Sequence, residues 1–171
     1  MAAEGKSCGG CGACCKLPEI VELKKPAHVT CVNYVAAKGC SIYQDRPSAC
    51  RAFECGYLQN PDLGDEWRPD RAGFLLYFAP GPRLVVETDL ETSDSWRQEP
   101  FMSQLRAWSD RQRATTIEVV VRTGKRLTMI FPEGEVELGE DRGLAIRSGY
   151  RLAGDKRVPF AEFARPTTWV L

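Results

Sequence analysis

The sequence predicts an α+β protein in which a small, irregular, cysteine-rich module packs on a mainly antiparallel β body with one amphipathic helix. Three observations support this prediction. The first third of the chain is rich in Gly and Cys and lacks a sustained hydrophobic period. The remainder alternates short apolar runs with turn signals, and one segment within it changes to helical spacing. A turn-rich stretch near residue 60 marks the boundary, so we expect a module over residues 1–60 and a body over residues 61–171, with one compact unit as the alternative.

The body contains two predicted β-hairpins. Residues 74–79 and 83–88 are apolar runs joined by a Pro-Gly-Pro turn. Residues 117–122 and 126–131 are rich in β-branched side chains and are joined through Thr-Gly-Lys. The weaker candidates are a short strand over residues 135–138, another strand over residues 144–147 and, over residues 158–163, a short helix or an irregular tail.

Between the two hairpins, residues 100–112 have helical spacing. Phe101, Leu105 and Trp108 fall on one face at i, i+4 and i+7, and Pro100 suits a position in the first turn. The opposite face is polar. We therefore expect this amphipathic helix to lie on the sheet.

The composition is that of an ordinary globular protein, with 43% hydrophobic and 27% charged residues. Basic and acidic residues number 23 each, so the overall charge suggests neither a nucleic-acid nor a membrane-surface partner. The start of the chain lacks the features of a secretion signal, and no apolar stretch approaches the roughly 20 residues that span a bilayer. These features favour a cytoplasmic protein.

All eight cysteines lie within the first 55 residues. Cytoplasmic thiols are kept reduced, so metal ligation is favoured over disulfide bonding, although an even number of cysteines is also typical of a secreted disulfide scaffold. Thiolates are good ligands for zinc, iron and iron–sulfur clusters. The predicted ligands are Cys8, Cys11, Cys14, Cys15, Cys31, Cys40, Cys50 and Cys55.

The spacing of the first four thiols is C-x-x-C-x-x-C-C, which resembles a ferredoxin-type ligand run but does not distinguish iron from zinc. Adjacent residues rarely direct both side chains at one ion, so Cys14 and Cys15 should serve different centres or bridge two. Eight thiolates would satisfy two four-ligand sites, while a single site with spare or regulatory thiols remains the alternative. If one cysteine is not a ligand, His28, the only histidine, is the first substitute.

Charge also favours metal in this region. Residues 1–55 contain seven basic and five acidic side chains. Eight bare thiolates would bring the segment to about −6, and two divalent ions would return it to about −2. Lys16, Arg46 and Arg51 are placed to screen the remaining negative charge.

The second informative run is G-C-S-I-Y-Q-D-R-P-S-A-C-R-A-F-E-C over residues 39–55, in which residues 47–53 predict a short helix carrying Cys50. Ile42, Tyr43 and Phe53 should pack beside the metal. Together with C-G-G-C-G-A-C-C over residues 8–15, this run resembles the YkgJ family of bacterial cysteine-cluster proteins, described as zinc- or iron-chelating domains. The resemblance covers roughly residues 7–58 and implies that all eight cysteines are metal ligands.

The sequence therefore predicts a metal-binding cysteine-cluster protein that holds zinc or iron, which includes the possibility of a 4Fe–4S cluster. One alternative is an iron–sulfur oxidoreductase or electron-transfer protein that acts on an unknown protein partner. Another is a structural zinc module that supports protein–protein contacts through the β body. No carboxylate pair, nucleophile elbow or phosphate-binding glycine loop is evident, which favours a non-enzymatic role.

Overall fold

The structure, a computed structural model, describes residues 3–110 and 117–164. Its longer elements are five helices and nine strands within those ranges, joined by short 3-10 turns. The helices are α1 (Ala13–Lys16), α2 (Ser48–Ala52), α3 (Gly56–Gln59), α4 (Pro69–Ala72) and α5 (Phe101–Ser109). The strands are β1 (Tyr34–Val35), β2 (Gly39–Cys40), β3 (Phe74–Ala79), β4 (Arg83–Thr88), β5 (Glu118–Thr123), β6 (Arg126–Phe131), β7 (Gly134–Glu140), β8 (Ile146–Ala153) and β9 (Lys156–Phe163).

The central element is a five-stranded sheet with the order β3-β4-β5-β6-β7. Neighbouring strands are antiparallel except β4 and β5, which pair in parallel. A parallel pair needs a crossover connection, and the segment containing α5 joins these two strands. The α+β class with mainly antiparallel strands is confirmed, and both predicted hairpins are present. The predicted strand over residues 135–138 is also present, extended at both ends as β7.

Helix α5 packs on one face of this sheet, as its pattern predicts. Phe101 and Leu105 are buried, and Leu105 has no exposed surface. The Phe101 ring lies edge-on to Trp67 and Phe74, with centroids 4.8 and 5.0 Å apart. Such edge-to-face pairs add about 1 kcal/mol beyond apolar burial. The helix ends at Ser109, and predicted residues 111 and 112 lie outside the described residues.

The opposite face of the sheet is partly covered by the hairpin of β8 and β9. Ile146, Tyr150 and Phe163 of this hairpin pack against an apolar cluster on β5 and β6. The prediction of a short helix or irregular tail over residues 158–163 is therefore wrong, because these residues belong to β9. Pairing with β8 along its whole length stabilises β9, although the sequence of β9 has little β character of its own.

The cysteine segment (residues 7–58) packs against the β3 edge of the sheet. Leu17, Cys55 and Leu58 of this segment share one apolar cluster with Phe74 and Val86 of the sheet. The ammonium of Lys16 adds an ion pair to Asp89, just after β4, at 2.6 Å. Residues on either side of the predicted boundary thus contribute to the same core. Among the described residues, no helix is both long and apolar enough to cross a membrane.

Candidate metal centre

The eight cysteines line one cavity of about 500 Å³ between the cysteine segment and the sheet. They reach it from several short elements and loops that are far apart in sequence. Cys31 and Cys55 are buried, the other six are half-buried, and all eight are free thiols. No disulfide therefore competes with the predicted role as ligands. The structure brings together every residue of the predicted ligand set.

The loop of residues 8–12 reaches the cavity because its glycines permit close backbone contact with the β1–β2 hairpin. A Cβ on Gly10 would lie 2.6 Å from the carbonyl oxygen of Ala37. Gly39 has a φ of +88°, and a Cβ there would lie 2.7 Å from the carbonyl oxygen of Gly9. Larger residues would separate the two segments. This contact places Cys40, on β2, against the first cysteine loop.

Backbone hydrogen bonds hold the next thiols together. The Cys11 N–H donates to the Cys8 carbonyl at 3.0 Å, which closes a tight turn. The Cys31 N–H donates to the Cys15 carbonyl at 2.9 Å, so the loop that carries Cys31 is tied to the end of α1. Cys55 stands at the N-terminal cap of α3. These bonds fix the backbone on which the thiols stand.

Helix α2 carries Cys50 and is capped by a distant carboxylate. Glu22 accepts hydrogen bonds from the backbone N–H groups of Ser48 and Ala49, both at 3.0 Å, and from the Ser48 hydroxyl at 2.7 Å. The first N–H groups of a helix have no partner within the helix, and a carboxylate satisfies them well. Glu22 therefore positions α2. The predicted helix over residues 47–53 is confirmed, one residue shorter at each end.

The thiols affect one another's pKa values across the whole cavity. Burial raises the pKa of Cys8, and nearby Cys55, Cys11 and Cys15 raise it further. Burial also raises the pKa of Cys11, with a smaller contribution from Cys55. Cys14 interacts most strongly with Cys15, and also with Cys8 and Cys11. We name Cys8, Cys11, Cys14 and Cys55 the first thiol group.

The second group surrounds Cys50. Burial raises the pKa of this thiol, and Cys15, Cys31 and Cys40 raise it further because thiolates repel one another. We name Cys15, Cys31, Cys40 and Cys50 the second thiol group. Because Cys15 also affects the pKa values of Cys8 and Cys14, the assignment of the adjacent residues Cys14 and Cys15 to different centres stays a prediction.

Cys14 and Cys15 are the contact between the two groups. The side chain of Cys15 raises the pKa of Cys14 strongly, and the side chain of Cys14 lowers the pKa of Cys15 to about 7. Lys25 and Arg46 lower the pKa of Cys15 as well. A thiol with a pKa near 7 is substantially ionised at neutral pH. Cys15 is thus poised to act as a thiolate ligand.

Apolar and aromatic side chains form much of the cavity wall. Ile42, Tyr43 and Phe53 line it, as the sequence predicts, and Leu75 of β3 closes it on the sheet side. The Phe53 ring lies edge-on to Tyr77 of the sheet, with centroids 5.8 Å apart. Apolar walls lower the local dielectric and limit access of water to bound metal.

His28 is not among the residues that line the cavity. Its backbone has a φ of +60°, and its N–H donates to the Leu17 carbonyl at 3.0 Å. The ring is half-buried, and its Nδ1 has no hydrogen-bond partner. The structure therefore places the alternative ligand outside the thiol groups.

Lys38, Arg46 and Arg68 line the cavity, and of these the sequence analysis names Arg46. Arg46 lowers the pKa of Cys8 and of Cys15, as expected of a screening charge. Lys16 instead forms ion pairs with Asp89 and Glu91 of the body. Lys25 does not line the cavity but lowers the pKa of Cys15, and sequence analysis missed it because nothing in the sequence distinguishes it from Lys24. Glu22 was missed for the same kind of reason, since it caps a helix 26 residues away.

Within residues 3–110 and 117–164, no three or more His, Cys, Asp or Glu side chains form a group already arranged around a metal position. The donor chemistry nevertheless fits a soft or borderline metal, since each group offers four sulfur atoms and no competing carboxylate lines the cavity except Glu19. Binding of a metal would draw the thiols inward from the cavity walls.

Comparison of the chain with protein-family models, with curated proteins and with solved structures finds no match in any of the three.

Proposed function

We propose that this chain is a metal-binding protein of the cytoplasm whose two four-thiol groups each hold a zinc or iron centre. The observation that carries the proposal is the gathering of eight free thiols on one cavity, which we divide into two groups of four. Four sulfur ligands suit both structural zinc and the common iron–sulfur clusters. The resemblance of residues 7–58 to the YkgJ family supports the same proposal.

The raised pKa values of the thiols link metal binding to folding of the cysteine segment. Burial raises the pKa of Cys8, Cys11, Cys50 and Cys55, so these thiols are mostly protonated at neutral pH in the absence of metal. A bound metal displaces those protons and turns repelling thiolates into ligands. Metal binding and folding of the cysteine segment are then coupled, and each four-thiol centre contributes on the order of 10 kcal/mol.

An iron–sulfur electron-transfer protein is the second candidate, and the cavity volume favours it. About 500 Å³ falls within the roughly 300–1,000 Å³ typical of small-ligand pockets. Zinc ions draw their sulfur ligands to about 2.3 Å, so the eight thiols that share this cavity would have to move inward to bind two of them. A larger inorganic cluster would need less movement of the walls. Electrons would then pass between the cluster and a protein partner.

Anaerobic purification followed by elemental and acid-labile sulfide analysis tests both candidates. Two zinc ions per chain and no visible absorption support the zinc centre. Iron with matching sulfide and a broad absorption near ~400 nm support the iron–sulfur centre. The proposal would be contradicted if the protein folds normally without metal and still contains neither zinc nor iron after each has been added.

A further inference from the structure

Three cationic side chains line the thiol cavity together with the eight cysteines. They are Lys38, Arg46 and Arg68, and Glu19 is the one carboxylate among the described residues of the lining. Arg68 is already paired, because its Nε lies 2.9 Å from a carboxylate oxygen of Asp70. Lys38 is exposed, so solvent and salt screen its charge. Arg46 is half-buried, and none of the described carboxylates forms an ion pair with it.

Two contacts with Tyr43 hold the Arg46 guanidinium at the cavity. Its Nε donates a hydrogen bond to the Tyr43 carbonyl at 2.8 Å. Its central carbon lies 3.7 Å from the centre of the Tyr43 ring, which lines the same cavity. The intervening backbone is a turn, because the Asp45 N–H donates to the Ile42 carbonyl at 2.9 Å. Pro47 then restricts Arg46 to an extended backbone. The side chain is therefore clamped on Tyr43 before any ligand is bound.

Neither contact cancels the charge of Arg46. A carbonyl oxygen and an aromatic ring are both neutral, and a guanidinium stays protonated at physiological pH. The carbonyl takes one of the five N–H donors, and none of the described residues accepts a hydrogen bond from the other four. Because the planar group is already oriented, little further freedom is lost when it interacts with an anion. Arg46 is thus a fixed positive charge on the cavity wall.

Metal binding makes this cavity negative. Each thiol loses its proton to solvent when it becomes a ligand. Four thiolates around one divalent ion, or around a cluster core of equal charge, leave a net charge of about −2. Ile42, Phe53 and Leu75 make part of the wall apolar, and a negative charge against such a wall is costly unless a cation lies nearby. A cation fixed on the same wall offsets part of this cost.

We propose that Arg46, clamped on Tyr43, is the built-in counter-cation of the metal-loaded cavity and that its charge strengthens metal binding. This inference rests on the proposed function. The guanidinium has no acceptor lone pair and is not itself a ligand. It attracts the loaded site, which is anionic, more strongly than the empty site with protonated thiols. Arg46 is therefore a positioning residue that acts on the ligands through its charge.

Competition between the full-length protein and a chromogenic chelator for Zn²⁺ at neutral pH tests this inference. Arg46→Gln removes the charge but keeps hydrogen-bond donors, and Arg46→Lys keeps the charge. Arg151→Gln is the matched control, because Arg151 also lies over an aromatic ring, that of Phe160 at 4.4 Å, but does not line the cavity. We expect Arg46→Gln to weaken zinc binding by about 10–100-fold, the range typical of substitutions just outside the ligands. Arg46→Lys should bind more like the wild type than like Arg46→Gln, and Arg151→Gln should match the wild type.

The same competition at low and high salt separates the charge of Arg46 from its packing. The Debye length falls from about 30 Å at 0.01 M salt to about 3 Å at 1 M. Because Arg46 is only half-buried, the difference in zinc affinity between the wild type and Arg46→Gln should narrow over this range. A packing defect would give the same difference at both salt concentrations.

Equal zinc binding by Arg46→Gln and the wild type would overturn the inference and leave the proposed function standing. Equal loss in Arg46→Lys and Arg46→Gln, an equal loss in Arg151→Gln, or a loss that salt does not change would also overturn it. If circular dichroism shows that Arg46→Gln does not fold, Arg46→Lys decides: binding within about tenfold of the wild type supports the inference, and a greater loss contradicts it. A wild type that binds no metal would refute the proposed function, and the inference with it.

Discussion

Replacement of one thiol in each group gives a quantitative test of the proposed division. Cys11 belongs to the first thiol group and Cys50 to the second. Each group has four sulfur atoms and no spare ligand, so Cys11→Ser and Cys50→Ser should each remove one of two metal centres. Metal content should fall to half in either single variant and to near zero in the double variant.

The loss should also be visible in folding. A four-thiol centre contributes on the order of 10 kcal/mol, comparable with the whole stability of a typical domain at about 5–15 kcal/mol. We therefore expect the cysteine segment to unfold locally in each single variant. The sheet and α5 should stay folded when the cysteine segment unfolds, because their core includes side chains such as Leu105 and Val119 that lie outside the segment.

The assay is elemental analysis of gel-filtered protein combined with limited proteolysis of the cysteine segment. Ser7→Ala is the matched control, since Ser7 lines the same cavity but has no thiol. If Cys11→Ser and Cys50→Ser both retain the full metal content, the thiols are not ligands. If either single substitution removes all the metal, the eight cysteines hold one shared cluster and the division into two groups is refuted.

Three further predictions concern the scaffold. Leu105→Ala should lower the free energy of unfolding by about 2–5 kcal/mol, measured by urea denaturation, because Leu105 is fully buried between α5 and the sheet. Burial raises the pKa of Asp89, but hydrogen bonds from Lys16 and from the backbone outweigh it and hold this pKa below the usual value. The stability that Asp89 contributes, no more than about 1 kcal/mol, is therefore present above its unfolded pKa of about 3.9 and is lost as pH falls through the lower folded value. Asp89→Asn should remove that part of the acid dependence when unfolding is followed from pH ~7 to ~2. Glu22→Ala should speed metal release to a chelator, because it uncaps the helix that carries Cys50.

Each scaffold variant has a control that changes a similar side chain elsewhere. Leu152→Ala alters a leucine that is 76% exposed and should cost little. Asp94→Asn breaks an ion pair whose carboxylate is 78% exposed. Glu19→Ala removes a carboxylate from the cavity rim without uncapping α2. Effects in the controls as large as those in the variants would show that burial, the Lys16 ion pair or the cap is not the cause.

The parts of the fold that the sequence predicts well are those specified by local signals. Strands β3, β4 and β6 have the predicted boundaries, because alternating apolar residues and strong turn residues coincide there. The parallel pairing of β4 with β5 was not predicted, since it joins strands separated by the α5 crossover. The predicted strand over residues 144–147 overlaps only the start of β8. Its partner β9 was missed because its few inward side chains, Ala161 and Phe163, become informative only against the partner sheet.

The candidate metal centre likewise has features that the sequence predicts and features that depend on tertiary packing. Clustering of the cysteines early in the chain predicts that they meet, and all eight do line one cavity. The separation of Cys14 and Cys15 into different centres, inferred from their adjacency, stays a prediction. Which distant cysteine completes which group depends on tertiary packing, as Cys55 joins the first loop only because it lies against β3. The choice of Lys25 over Lys24 depends on one backbone turn that buries the former and exposes the latter.

X-ray absorption spectroscopy at the edge of the bound metal tests the central claim most directly, because it reports the atoms that surround the metal in the intact protein. The account predicts a first shell of sulfur alone, four atoms per metal at about 2.3 Å for zinc. A first shell of oxygen or nitrogen, or protein isolated without metal whose eight thiols all remain free to react after incubation with zinc and iron, would contradict it.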